Sequence, residues 1–178
     1  MLDLSTHIAR GSGLFSKYYT LNETTGIKVI GANHDRDEGT KFLSLKEMKE
    51  VPEYFQRVKR EYLLLKKLEV SGRTPKPYRL RIVKIQKYYF VGIEMEHISG
   101  KELGETRFSS KWKALNLLNG AMKKLGCYHG DLHDGNAILS DSGKIFMVDL
   151  SPSFIYPIDQ KGKVHYGKSP LDVEGVDE

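Results

Sequence analysis

His129-Gly130-Asp131-Leu132-His133-Asp134-Gly135-Asn136 is the stretch on which the reading of this 178-residue chain turns. It follows a segment of helical period and precedes a short apolar run, so it reads as a tight loop crowded with groups that hold metal or protons. Thirteen residues past Asn136 stands Asp149, at the end of Ile145-Phe146-Met147-Val148. A carboxylate that terminates a buried apolar strand costs free energy unless it has a partner, and a divalent cation is such a partner. Asn136 and Asp149 supply hard oxygen ligands of the kind that suit Mg²⁺ carried with phosphates. Asp131 is then left to accept a proton from an attacking hydroxyl.

On either side of the loop the pattern is α+β. Residues 110–125 predict a helix, with Trp112, Leu115, Leu118, Met122 and Leu125 as its buried stripe and Gly126 as a left-handed cap. Residues 137–139 and 144–148 predict short strands about the turn Ser140-Asp141-Ser142-Gly143. Further upstream, Val51, Tyr54, Phe55, Val58, Tyr62, Leu65 and Leu68 recur at spacings of three and four, predicting a helix over 45–68. Pro52 marks an early turn or a break near its start, and Ser71-Gly72 with Pro75 and Pro77 stop it. Five strands are predicted at 6–10, 14–21, 27–30, 80–86 and 88–96, with a waist near 96–100.

Composition narrows the classes. With 39% hydrophobic and 29% charged residues the chain has the apolar content for a packed core and is not a disordered one. A single cysteine, Cys127, excludes a disulfide scaffold and fits a reducing cytoplasm. No apolar run approaches the ~18–20 residues that span a bilayer, and the first residues lack a signal-peptide pattern, so a cytoplasmic protein without membrane contact is expected. Residues 41–90 hold fourteen Lys and Arg against five Glu, within a net charge of +5. Such a segment could attract nucleic acid, but without interleaved aromatics it reads better as a solvated helix face followed by lysine-guarded edge strands.

His129-Gly130-Asp131-Leu132 followed by Asn136 resembles the catalytic loop of the protein-kinase-like superfamily, and Asp149-Leu150-Ser151 resembles its Asp-Phe-Gly metal site. The His-Gly-Asp form is similar to that of the atypical branches: RIO kinases, the small KEOPS-complex kinase, and the aminoglycoside and choline phosphotransferases. The resemblance runs in order through residues 6–152. It implies a glycine-rich loop at Gly11-Ser12-Gly13-Leu14-Phe15-Ser16, with Ser16 in the place of the third glycine. It also implies that Lys28 holds the α- and β-phosphates, and that a helix glutamate steadies it. Glu61 falls inside the apolar stripe, three residues after Val58 and four before Leu65, where a carboxylate wants a buried cation. On composition alone Lys28 reads equally well as a surface edge residue, while for Glu61 the lesser alternative is the rim of a slightly rotated helix. Residues 91–100 resemble the strand and hinge between lobes, which makes Met95 the gatekeeper and turns the backbone of Glu96 and Ile98 towards adenine.

The implied fold is bilobal, with an antiparallel five-stranded N-lobe and one helix over 1–96 and a truncated, mainly helical C-lobe over 97–178. The implied activity is ATP- and Mg²⁺-dependent transfer of the γ-phosphate to a hydroxyl, on Ser or Thr of a protein substrate or of the chain itself. Asp131 is the base, Lys28 the phosphate cation, and Asn136 and Asp149 the metal ligands. Only 29 residues follow Asp149, too few for the activation segment and helices of a regulated protein kinase, so a homodimer or a partner protein has room to complete the lobe. Ser151 and Leu150 depart from the usual Gly and Phe. Three other readings stand beside this one. They are a nucleotide-binding regulatory module with little turnover, a RIO-like ATPase, and a zinc hydrolase built on His129, His133, Asp131 and Asp134. The last leaves Lys28, Glu61 and the glycines without purpose. His129 itself is expected to hold the loop rather than to react, and Cys127 to be core rather than nucleophile.

Overall fold

The computed structural model describes residues 1–12, 16–31, 41–107 and 109–172. The chain divides into two compact units, Met1–Tyr62 with Pro77–His97, and Leu63–Lys76 with Ile98–Glu178. The predicted N-lobe took in residues 63–76, but these group with the second unit. Two hydrogen bonds tie them there: the Met147 amide donates to the Arg73 carbonyl at 2.8 Å, and the Lys67 side chain donates through Nζ to the Pro170 carbonyl at 3.0 Å.

The first unit is built on one sheet. Its strands are β1 (Leu2–Asp3), β2 (Ala9–Ser12), β3 (Ser16–Thr20), β4 (Thr25–Ile30), β5 (Pro77–Ile85) and β6 (Tyr88–Glu96), in the order β1-β5-β6-β4-β3-β2. The sheet has six strands where five were expected. The extra one, β1, pairs parallel to β5 through Leu2 and Val83, while the other pairings are antiparallel. Two residues carry no alternation to read, but Leu4 just after them is buried in the core and its amide donates to the Lys84 carbonyl.

Alternation then sorts the two faces of this sheet. Ile27 and Val29 of β4 join Leu4, Tyr19, Val83, Ile85 and Phe90 in one apolar cluster. Lys28, between them, points to the other face. Onto that face comes the predicted helix, in two pieces: α1 (Leu45–Lys49) and α2 (Pro52–Leu68). Ser44 and Glu47 close a capping box at the start of α1, and Pro52, which lacks an N–H and disfavours helix at Val51, restarts the chain as α2. The apolar stripe is narrower than its spacing suggested. Tyr54, Val58, Leu65 and Leu68 are buried, whereas Val51 and Phe55 are exposed and Leu64 takes part instead.

In the second unit, β7 (Gly100–Glu102) precedes the helix α3 (Lys111–Lys124), which is followed by β8 (Cys127–His129), β9 (Ala137–Ser140), β10 (Ile145–Met147) and β11 (Ile155–Pro157). They form a three-stranded sheet, β10-β9-β7, and a two-stranded one, β11-β8. The expectation of a mainly helical C-lobe is met only in part among the described residues, because short strands lie beside the helix. Five strands of three or four residues accompany one fourteen-residue helix. β9 and β10 fall where strands were predicted, whereas β7, β8 and β11 are specified by pairing rather than by period and leave little trace in the sequence. Leu118 and Met122 of α3 are buried with Ala114, but Trp112, expected in the stripe, is 74% exposed at the helix start. Gly126 does cap the helix in the left-handed region, at φ +68°, and Gly143 turns β9 into β10 at φ +80°. Among the described residues no helix is long and apolar enough to cross a membrane.

Candidate active site

Lys28 lies on β4, flanked in the ladder by β3 and β6, so it is no edge residue. Its Nζ sits 2.6 Å from Glu61 Oε1 of α2, with the two side chains only 11% and 6% exposed. At that burial an unpaired charge would be costly, and the short contact is what makes both tolerable. The helix is fixed in register by Tyr54, about two turns before Glu61. Its hydroxyl donates to the Ile30 carbonyl at 2.9 Å and accepts from the Val91 amide at 2.8 Å. Burial pushes the Tyr54 phenol up, so it stays a neutral hydroxyl able to do both.

Around this pair the other expected residues of the first unit fall on β2, β3 and β6. Gly11 and Ser12 belong to β2, and Ser16 opens β3 opposite Ile30; Gly13 lies outside the described residues. Met95 is buried and pairs with Gly26, and Glu96 pairs with Thr25. Ile98 is buried at the start of the second unit. Two features went unread in the sequence. Glu94 is buried and clamped by Arg81 at 2.8 Å and Arg79 at 3.2 Å; burial alone would raise its carboxyl, but the two guanidiniums prevail and hold it below the usual range. The Tyr18 hydroxyl lies 3.0 Å from His97 Nδ1, and the two rings stack with centroids 5.9 Å apart.

The second unit assembles its residues around a buried imidazole. The Asp131 amide donates to His129 Nδ1 at 3.2 Å, and Nε2 lies 2.7 Å from the Asp149 carbonyl oxygen. An amide cannot accept and a carbonyl cannot donate, so the ring is the neutral tautomer with its proton on Nε2. Burial also pushes the His129 pKa down, against the smaller upward pull of Asp149 and Asp131, which favours that neutral form. One side chain thus ties the backbone of Asp131 to that of Asp149. Asn136 completes the net. Its Nδ2 donates to the Asp131 carbonyl at 2.9 Å and its carbonyl accepts from the Val148 amide at 3.0 Å, which leaves Oδ1 as the side-chain atom able to face a cation. Carboxylate and carboxamide oxygens, such as Asp149 and Asn136 carry, are the kind of donor that hard divalent cations prefer.

The neighbouring groups are accounted for locally. His133 Nδ1 accepts from the Gly135 amide, and Asp134 forms an ion pair with Lys111 at 3.6 Å. Among the described residues no group of three or more His, Cys, Asp or Glu could hold a metal ion, which removes the zinc-hydrolase reading. Cys127 is buried in β8 and burial pushes its thiol up, as fits a core residue. Gly130 is also explained by its surroundings. A Cβ there would stand 2.7 Å from Tyr156 Cε2, so β11 leaves no room for a side chain in the middle of His-Gly-Asp.

No family model matches the chain, and no curated protein does. Solved structures do. A structure of WbdD with the kinase inhibitor LY294002 is 18% identical over 82% of this chain and 32% of its own, with a TM-score of 0.49. A second WbdD structure, at 2.2 Å resolution, is 15% identical over 81% and 31% of the two chains, with a TM-score of 0.48. The chain spans about a third of the length of these structures.

Proposed function

We propose that the chain is an ATP-dependent phosphotransferase that moves the γ-phosphate to a hydroxyl of a protein serine or threonine, its own included. The observation that carries this reading is the buried Lys28–Glu61 pair. An ion pair sunk in a sheet is a poor stabilising device, since two apolar side chains would do as well or better, so a charge kept there points to a use. The use that fits is a fixed cation for the α- and β-phosphates, with Glu61 holding its position.

The loop of the second unit has the complementary chemistry. Asn136 and Asp149 would hold Mg²⁺, which supplies charge neutralisation along the phosphates. Asp131 orients the acceptor hydroxyl and takes its proton. It stands exposed, as is its neighbour Gly130, which suits an acceptor presented by a large molecule. His129, neutral and buried, keeps Asp131 and Asp149 in fixed relation without joining the reaction. Most of the rate in such chemistry comes from positioning, so loss of either carboxylate is expected to be severe.

Incubation with γ-³²P-ATP and Mg²⁺ tests the reading. Label should appear on the protein, and Asp131→Ala and Asp149→Ala should each lower it by at least a hundredfold, order-of-magnitude losses for a base or a metal ligand. Free phosphate without protein label would make it an ATPase, and tight ATP binding with neither product a regulatory module. Full transfer by Asp149→Ala would sink the assignment.

A further inference from the structure

Under the nucleotide reading, phosphates meet Lys28 and the base meets the backbone of Glu96, both on the first unit. The interval between those two points on the sheet is filled by Tyr18. It stands opposite Lys28 in the β3–β4 ladder, so the two side chains share a face. From there its ring crosses β4 at Gly26 and ends at His97, with Oη 3.0 Å from Nδ1 and the ring planes 24° apart. Gly26 pairs with Met95, and Thr25 with Glu96, so the phenol lies beside the residues assigned to the base.

Gly26 shows that the placement is built in. A Cβ on it would fall 1.8 Å from Tyr18 Oη, 2.3 Å from Cζ and 2.9 Å from Cε2. Its φ is not among the positive ones, so the backbone does not demand glycine; the phenol does. Burial raises the Tyr18 pKa and lowers that of His97, so a neutral phenol faces a neutral imidazole and the two share one hydrogen bond.

We propose that Tyr18 sets the nucleotide affinity of this protein: its ring, held by His97 over Gly26, occupies the place of the base, and ATP enters only as the ring leaves. The inference rests on the nucleotide reading above. Apparent affinity is then reduced by the fraction of molecules whose ring is out. One hydrogen bond and a packed ring keep that fraction at a tenth or less, so freeing the site should tighten binding by roughly tenfold.

The test is calorimetric titration of a non-hydrolysable ATP analogue with Mg²⁺ into the wild type, Tyr18→Ala, Gly26→Ala, the double variant and Tyr18→Phe. Tyr18→Ala should bind about tenfold more tightly. Gly26→Ala, which forces the hydroxyl out, should gain as well, and the double variant should bind no more tightly than Tyr18→Ala alone. Tyr18→Phe keeps the ring but loses His97, and should gain less. Equal or weaker binding by both Tyr18→Ala and Gly26→Ala, with a wild type that binds, overturns the role of Tyr18 and leaves the nucleotide reading standing. Absence of binding by all five proteins, each folded by circular dichroism, overturns both.

Discussion

Replacing Glu61 by leucine would remove the carboxylate that lies against the buried Lys28 ammonium, and the size of the penalty follows from the contact. The two charges are 2.6 Å apart with 11% and 6% of their side chains exposed, so neither can turn to water when the other goes. Removing one partner from such a pair costs about 3–5 kcal/mol, against the ~0–1 kcal/mol of a surface pair. Lys28→Met should cost a similar amount by stranding the carboxylate. The double variant Lys28→Met/Glu61→Leu should behave differently, because two apolar side chains of similar volume satisfy the same space. It is expected to match the wild type or exceed it by as much as ~1–4 kcal/mol. Urea unfolding reads this directly. With a slope of about 2 kcal/mol per molar, each single substitution lowers the midpoint by roughly 1.5–2.5 M and the double one does not. Phosphate transfer should be lost in all three. A stable double variant without transfer would separate what the pair does for the fold from what it does for chemistry. Single losses below ~1 kcal/mol, or a double variant as unstable as the singles combined, would refute the reasoning.

Two further outcomes are expected. Gly130→Ala should cost about 1–3 kcal/mol through the Tyr156 ring it displaces, and the cost should largely vanish in a Tyr156→Ala background; an equal cost in both backgrounds would contradict the packing. His129 and His97 both have pKa values lowered by burial from an ordinary 6.5, so below that pH the unfolded chain takes up protons more readily than the folded one. The urea midpoint should therefore be level above about pH 7 and fall as the pH drops through 6.5 towards the folded values, less steeply in His129→Gln, whereas a midpoint that rises on acidification would reverse the sign. Glu94, whose carboxyl lies below its ordinary 4.5, contributes its loss only at lower pH and does not disturb that window.

How far the sequence could be read depended on whether a residue announced itself against its background. Glu61 interrupts an apolar stripe and so stood out as a charge in need of a cation, whereas Lys28, between Ile27 and Val29, read equally well as an edge residue until the two were found to meet. The main strands β3 to β6 and the helices showed clear periods. β1, β7, β8 and β11 did not, since a two- or three-residue strand owes its existence to its partner. Periodicity also fixes the direction of a helix face but not its width, which is why Trp112, Val51 and Phe55 fit the stripe on paper and lie exposed. Tyr18 was the least legible. Its significance depends on the empty space above Gly26 and on the distant His97, neither of which any local spacing records.

The imidazole of His129 narrows what substitution can do at that position. It takes a proton-bearing amide on one nitrogen and offers its own proton to a carbonyl on the other, so it works as a directional connector between two separate segments. Lysine and arginine only donate and a carboxylate only accepts, and each would leave one of the two contacts opposed rather than merely lost. A carboxamide has both functions but holds them on one carbon, too close together to span the same gap. The placement of Asp131 and Asp149 thus depends on the protonation pattern of a residue that touches neither carboxylate's chemistry. Variation at position 129 would be felt first as a loss of alignment, in a protein still folded.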